Sequence, residues 1–297
     1  MKQLTLYPGA KINIGLYVFE KREDGFHELE SIFYPVGPDN SNLEPDKLTV
    51  SVCENQNEET LFYTENYSEK VRMIECGLDY PGTPQDNICV KAYEMLDADY
   101  QLPPAVIVLE KHIPVGAGLG GGSSDGVCTL KALNELCSLN LTTEQLTSYA
   151  EKLGSDCPFF IQNEPRLVTG RGEILTPLEE PACNALKNIS ENYRVGITFS
   201  PDCFVSTKKA YFIVPKRKKN GLGDENDERP YIPVTEAITM PVEKWQGIIV
   251  NDFEAPVFKE FPQLEKVKAS LKETGAVYVS MTGSGSAIYG LFPIKEV

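Results

Sequence analysis

The stretch that decides the fold is "PVGAGLGGGSSDG", residues 114–126. Six of its thirteen residues are glycine, and two serines and an aspartate stand near its end. Glycine loses more backbone freedom on folding than any other residue, so a loop this rich in it is costly to order unless it is used. Its use is close approach, because backbone N–H groups without neighbouring Cβ atoms can wrap an anion. Beyond it, Val127, Leu130, Leu133 and Leu136 outline a helix, with Ser123 or Ser124 as the predicted N-cap. A helix N-terminus adds free N–H groups and a dipole worth roughly +0.5 charge. Loop and helix together describe a phosphate cradle.

Three kinds of cradle compete. A Walker A loop needs a lysine, and there is none between Pro114 and Gly126. The dinucleotide pattern G-x-G-x-x-G is present as Gly116, Gly118 and Gly121, with Glu135 near the place of a ribose-binding acid. That pattern belongs in a β-α-β unit, whereas here a second helix over 143–153 follows the first. The third kind is a long glycine loop ending in "GGSS" at a helix N-terminus. With no lysine in the loop, Mg²⁺ with a serine hydroxyl as ligand is the natural charge compensation, and Ser124 is its candidate.

Working outward, "AVIVLEKHIP" (105–114) is a strand that runs into the loop, and "DNICVKAYEMLDADY" is a helix capped by Asp86 or Asn87. Thr142 and Gln145 form a capping box that opens the second helix, which ends at Gly154. Residues 4–19 read as a strand with a bend at Pro8–Gly9. Lys11 and Asn13 share one of its faces, and Ala10, Ile12 and Ile14 the other. The polar pair is either the solvated side of that strand or part of a site. Further strands are predicted over 29–36, 47–53, 59–63, 166–170 and 193–199, with helices over 206–212 and 262–274. A last extended segment, 276–292, is interrupted by "TGSGS". Residues 216–229, "KRKKNGLGDENDER", read as an exposed charged loop. Strands and helices do not strictly alternate, which favours α+β over a doubly wound sheet.

The chain of 297 residues suits one large domain or two ordinary ones. Its net charge of −15 argues against nucleic acid as a partner, since binding a phosphate backbone needs a surplus of Lys and Arg. No apolar run approaches the ~20 residues of a membrane span, and the N-terminus lacks the core of a signal peptide, so a cytoplasmic place is expected. The eight cysteines contain no C-x-x-C pair and read as reduced thiols. Only His27 and His112 could join them at a zinc site, and each is isolated.

These residues carry a family resemblance. The glycine loop, with "PGAKINIGLYV", "DGFHELES", "QDNICVKA", "LGSDCPFF" and "MTGSGSAIYGLF" in that order along the chain, resembles the GHMP kinases. Within that family, "AKINIGL", "DGFHE" and "LGSDCPFF" are similar to the branch acting on a cytidine diphosphate-linked methylerythritol in the non-mevalonate route to isoprenoid precursors. The resemblance implies two α+β domains with the active site in the cleft between them. The first, 1–165, would bind ATP and be like domain 2 of ribosomal protein S5. The second, 166–297, would bind substrate and be ferredoxin-like.

The implied activity is ATP-dependent phosphorylation of an alcohol, with Asp156 as catalytic base and Lys11 as its partner. That suits the chemistry, since phosphoryl transfer needs a carboxylate aimed at the hydroxyl proton and positive charge on the transition state. A lysine ~4 Å from a carboxylate interacts by about 4 kcal/mol at an effective dielectric of 20, enough to keep the carboxylate ionised. The resemblance further implies ATP contacts from Pro114, Val115, Gly116, Ala117, Gly118, Leu119, Gly120, Gly121, Gly122, Ser123 and Ser124, with Asn87 and Lys111 near the adenine. On the substrate side it implies Phe26 and His27 at the cytosine, Phe26 stacking in place of a more usual tyrosine. Tyr211 would be a second stacking face, and Asn13 and Thr207 would contact the sugar-phosphate part. Plain alternatives stand beside these roles: a turn aspartate at 156, a solvated strand lysine at 11, and a core-packed aromatic at 26. Alternative functions are a mevalonate- or homoserine-type kinase, or a catalytically silent ligand-binding protein of the same fold.

Overall fold

A computed structural model describes residues 1–53, 70–79, 82–200, 203, 205–214, 217 and 231–294. The strand predicted over 59–63 and, apart from Arg217, the loop 216–229 lie outside these residues. In chain order the strands are β1 (Lys2–Leu6), β2 (Ala10–Lys21), β3 (His27–Val36), β4 (Lys47–Val52), β5 (Val71–Gly77), β6 (Ala105–Lys111), β7 (Arg166–Thr169), β8 (Ile174–Pro177), β9 (Tyr193–Thr198), β10 (Tyr278–Met281) and β11 (Ile288–Pro293). The helices are α1 (Ile88–Tyr100), α2 (Gly121–Leu136), α3 (Thr143–Leu153), α4 (Cys157–Gln162), α5 (Ala182–Asn192), α6 (Thr207–Ile213), α7 (Val234–Ala237), α8 (Glu254–Glu260) and α9 (Pro262–Glu273).

The chain forms two compact units that no single cut in the sequence separates. One comprises Met1–Ala10, Glu44–Val115 and Gly120–Asn163; the other comprises Lys11–Leu43, Gly116–Leu119 and Glu164–Val297.

The first unit is a sheet in the order β1-β4-β6-β5 with α1 to α4. Its pairs are antiparallel except β5 with β6. The sheet obeys the two-residue period: Ala105, Ile107, Leu109 and Lys111 of β6 are buried, and the residues between them are half-buried. The strand predicted to reach Pro114 ends at Lys111, because the N–H groups of His112 and Ile113 turn to Asp46 Oδ1 at 2.5 and 2.8 Å. Asn87, not Asp86, caps α1, its Oδ1 accepting from the Cys89 N–H at 2.8 Å. The Thr142–Gln145 capping box forms, and α3 ends at Gly154.

The second unit holds two sheets, β2-β3-β7-β8 and the antiparallel β10-β11-β9. Between Ala10 and Phe19 every residue of β2 is buried, so neither face of that strand is its solvated side. The core of this unit includes Leu16, Val18, Phe253, Leu264, Met281 and Ile288. The expected interruption of the last extended segment is the turn Thr282–Ala287, whose ends are joined by the Thr282 N–H and Ala287 carbonyl at 3.0 Å. No helix among the described residues is long and apolar enough to cross a membrane.

Candidate active site

The glycine loop feeds α2 differently from the sequence expectation. The helix begins at Gly121 and its cap is Gly120, with φ of 70°, so Ser123 and Ser124 lie inside the first turn. The left-handed backbone that this entry requires suits glycine and is strained for other residues. Gly120 offers no side chain to bond the first-turn N–H groups, which stay available to an anion.

Beneath this helix start lies a buried ionic cluster that the sequence reading did not foresee. The Lys111 ammonium bonds Asp46, and bonds Asp125 at 2.7 Å, with all three side chains at most 2% exposed. A Cβ on Gly121 would stand 3.2 Å from that ammonium and 2.7 Å from Ile113, so glycine lets the helix start settle onto Lys111. Burial would lower the Lys111 pKa, but Asp125 and Asp46 outweigh it and hold the ammonium above its ordinary value. Burial pushes the Asp125 carboxyl up to about 8, against the pull of Lys111. Lys111 is thus committed to two carboxyl groups through its ammonium. Asn87 has its carboxamide nitrogen on Glu75 at 2.5 Å. Gly126 brings α1 to α2, since a Cβ there would meet Ile88 at 2.9 Å.

Ser124 is 3% exposed and lies beside Cys128, while Ser123 is half-buried beside Cys157. Among the described residues no three His, Cys, Asp or Glu side chains converge as a metal site. The first-turn carboxyl, Asp125, is taken by Lys111. This donor set does not suit a resident metal; it suits an ion that arrives on a ligand's phosphates and meets a hydroxyl-bearing turn. Asp156 sits half-buried between α3 and α4 and makes no capping bond. Its backbone is set by the Cys157 N–H on the Gly154 carbonyl at 3.1 Å and by Pro158 in the first turn of α4.

In the second unit, Lys11 is 3% exposed. Its ammonium donates to Asn13 Oδ1 at 2.7 Å and lies 4.4 Å from the centre of the Phe33 ring. The two-residue spacing that puts Lys11 and Asn13 on one face makes that contact. Asn13 Oδ1 also accepts from the Gly283 N–H at 3.0 Å, and Asn13 Nδ2 donates to Ser31 at 2.8 Å. The tip of the glycine loop is tied to the same place: the Lys11 N–H donates to the Leu119 carbonyl at 2.8 Å, and the Ala287 N–H to Ala117 at 3.1 Å.

Phe26 is 52% exposed at the tip of a turn, with the Arg171 guanidinium 4.7 Å from its ring centre. His27 directs Nδ1 to the Phe19 carbonyl at 2.9 Å, and its ring lies nearly parallel to that of Tyr211, with centres 6.2 Å apart. Phe253 meets Tyr211 edge-on at 4.9 Å and steadies it. Thr207 opens α6, its hydroxyl 3.0 Å from that of Ser284. Arg171 and Asp46 had no motif to announce them, and Thr282 and Ser284 lie in the "TGSGS" stretch without a role read from it. Lys111 carried a signal of its own, a charge in register with three buried residues of β6, which demands a buried partner.

The description "GHMP kinases N terminal domain" matches residues 87–164, and "GHMP kinases C terminal" matches residues 242–296. The chain is 42% identical to the 4-diphosphocytidyl-2-C-methyl-D-erythritol kinase of Bacteroides thetaiotaomicron, over 97% of this chain and 92% of that one. It is 39% identical to the protein of the same name from Bacteroides fragilis, over 99% and 93%. A solved 4-(cytidine 5'-diphospho)-2C-methyl-D-erythritol kinase superposes with a TM-score of 0.71 at 30% identity, covering 97% of this chain and 90% of its own. The mevalonate kinase of Methanococcus jannaschii shares the fold, with a TM-score of 0.60 at 13% identity. The chain belongs to the GHMP kinases, and among them to the family of the 4-diphosphocytidyl-2-C-methyl-D-erythritol kinases.

Proposed function

We propose that the protein transfers the γ-phosphoryl group of ATP to the 2-hydroxyl of 4-diphosphocytidyl-2-C-methyl-D-erythritol. The observation that carries this reading is kinship at 42% identity along 97% of the chain with a protein of that name. The site chemistry supports it. Transfer to an alcohol involves little covalent work by the protein and depends on positioning and charge. The loop 114–124, with the uncapped N–H groups of α2, is assigned to the ATP phosphates, and Asn87 and the Lys111 end of β6 to the adenine side. Mg²⁺ carried on those phosphates would neutralise charge that develops during transfer, with the turn Ser123–Ser124 as its protein side.

Asp156 is assigned the hydroxyl proton, which it accepts as oxygen attacks phosphorus. Lys11 is assigned the negative charge of the transferring group; held by Asn13 and Phe33, its ammonium is oriented before substrate arrives. Phe26, His27 and Tyr211 are assigned the cytosine, and Thr207 and Asn13 the sugar-phosphate part.

The test is ATP consumption by the purified protein with the diphosphocytidyl substrate, run beside mevalonate and homoserine. Turnover with the first and little with the others is expected. Turnover with mevalonate or homoserine alone would move the protein to another branch of the family, and turnover with none would leave a ligand-binding protein.

A further inference from the structure

The Thr282 hydroxyl stands where segments far apart in sequence cross. Its oxygen accepts from the Asn13 backbone N–H at 3.0 Å. Its proton has two acceptors in reach, the Gly118 carbonyl at 3.1 Å and Asn13 Oδ1 at 3.3 Å. Asn13 Oδ1 in turn receives the Lys11 ammonium at 2.7 Å and the Gly283 N–H at 3.0 Å. At the other end of the carboxamide, Asn13 Nδ2 donates to Ser31 Oγ, which donates to the Gly15 carbonyl at 2.6 Å. Lys11, Asn13, Ser31 and Thr282 are all buried, at 3% exposure or less.

The backbone around this joint is in contact as well. A Cβ on Gly118 would fall 2.2 Å from the Thr282 carbonyl oxygen, and one on Gly283 would fall 2.9 Å from Gly118 Cα. The loop tip therefore cannot move against the Thr282–Gly283 turn without breaking the bonds that orient Asn13. A lysine ammonium is a point charge on a flexible four-carbon stem, so its position is only as definite as the groups that hold it. Here one such group is a carboxamide, and that carboxamide is oriented by a hydroxyl which also binds the phosphate loop.

We propose that Thr282, acting through Asn13, is a positioning residue for phosphoryl transfer: its hydroxyl locks the Lys11 ammonium to the tip of the glycine loop. The proposal rests on the kinase reading and on Lys11 acting in it. Thr282 need not touch ATP or acceptor to do this. Misplacing a charge by about 1 Å costs up to ~10²-fold in rate, with little change in the binding of parts that remain in place. A hydroxyl that served only to satisfy the local backbone would affect stability and leave the rate of the folded enzyme alone.

The experiment compares Thr282→Val, which keeps the shape and loses the hydroxyl, with Thr282→Ser, which keeps the hydroxyl. The expected result for Thr282→Val is a fall in kcat of about 10- to 100-fold, with KM for ATP within about threefold of wild type and any rise in acceptor KM, through Asn13, smaller than the fall in kcat. Thr282→Ser should restore most of kcat. A Thr282→Val enzyme with wild-type kcat, or a Ser variant as slow as the Val variant, would overturn the proposal.

A second measurement does not use turnover. In ¹⁵N-lysine spectra, the Lys11 ammonium signal, assigned by its loss in Lys11→Met, should be protected from exchange in wild type and Thr282→Ser and unprotected in Thr282→Val. Equal protection in all three refutes the joint. Should Thr282→Val fail to fold, Ser31→Ala releases the same carboxamide from its other side and is expected to lower both kcat and protection; no effect on either counts against the proposal. Wild-type protein that turns over no acceptor defeats the kinase reading, while the ammonium spectra still decide the joint.

Discussion

The Lys111 ammonium and the Asp125 carboxyl meet at 2.7 Å beneath the first turn of α2, and neither side chain is more than 2% exposed. Burial raises the Asp125 pKa to about 8, with Lys111 lowering it and Asp46 raising it further. In an unfolded chain an aspartate titrates near 3.9. From about pH 4 to about pH 8 the folded state therefore holds a proton that the unfolded state has released, so this group makes stability fall as pH rises through that window. Asp125→Asn removes the titration and keeps the shape. Melting temperatures of wild type and variant should diverge across the window, with wild type losing more as pH rises. Parallel curves would mean that Asp125 ionises as an ordinary carboxylate.

Gly118 answers to geometry, not to charge. Its φ is 81°, and a Cβ would fall 2.2 Å from the Thr282 carbonyl oxygen, a backbone atom that cannot swing aside. Gly118→Ala adds left-handed strain of about 1–2 kcal/mol to that clash. It should lower the melting temperature and weaken ATP binding together, because the loop tip must leave the turn at 282–287. Calorimetry and nucleotide titration check both. Gly37→Ala is the control, since a Cβ there meets nothing within 4 Å and Gly37 lies outside the loop.

Much of this was legible in the sequence, and the exceptions share a cause. The loop, the caps at Asn87 and Thr142, and the break at Pro8–Gly9 were readable because each depends on residues adjacent in the chain. The helix Ala182–Asn192 carries its period in Ala182, Leu186 and Ile189, but it follows a proline-rich stretch and has no capping side chain to mark its start. β5 buries one residue fully, so it shows no alternation; it exists because β6 lies beside it. Ser124 looked like a cap, yet the left-handed Gly120 moved the helix start ahead of it. For Lys11 and Asn13 the strand pattern left a solvated face and a site both open, because it shows what neighbours in sequence do and not that the polar side is buried. Asp46 and Thr282 act on residues 65 and 269 positions away, a separation no local pattern encodes.

Phe26 gives a prediction on the acceptor side. It is the exposed member of the aromatic set, with Arg171 against its ring. A base stacked on an aromatic side chain is worth about 1–3 kcal/mol, so Phe26→Ala should raise KM for the acceptor by roughly 5- to 150-fold and leave KM for ATP alone. Phe26→Tyr keeps the face and should stay near wild type. An unchanged acceptor KM in Phe26→Ala would return Phe26 to the role of a turn aromatic.

Lys11 and Asp156 can be tested so that loss of function is separated from loss of fold. Lys11 is 3% exposed, with the Asn13 carboxamide and the Phe33 ring among its partners. Replacing it by methionine, similar in length and uncharged, should keep the fold while kcat falls about 10²–10³-fold, the loss expected when a transition-state charge partner is removed. Asp156 stands half-buried in a turn that the Gly154 carbonyl and Pro158 already fix, so Asp156→Asn should fold normally and bind ATP as wild type does. With no carboxylate to take the hydroxyl proton, its turnover should fall by about 10²–10⁴-fold. Melting curves, ATP titration and single-turnover rates on the two variants distinguish the cases. A slow but stable protein supports both assignments, whereas rates that fall only in step with the melting temperature would return Lys11 and Asp156 to structural roles.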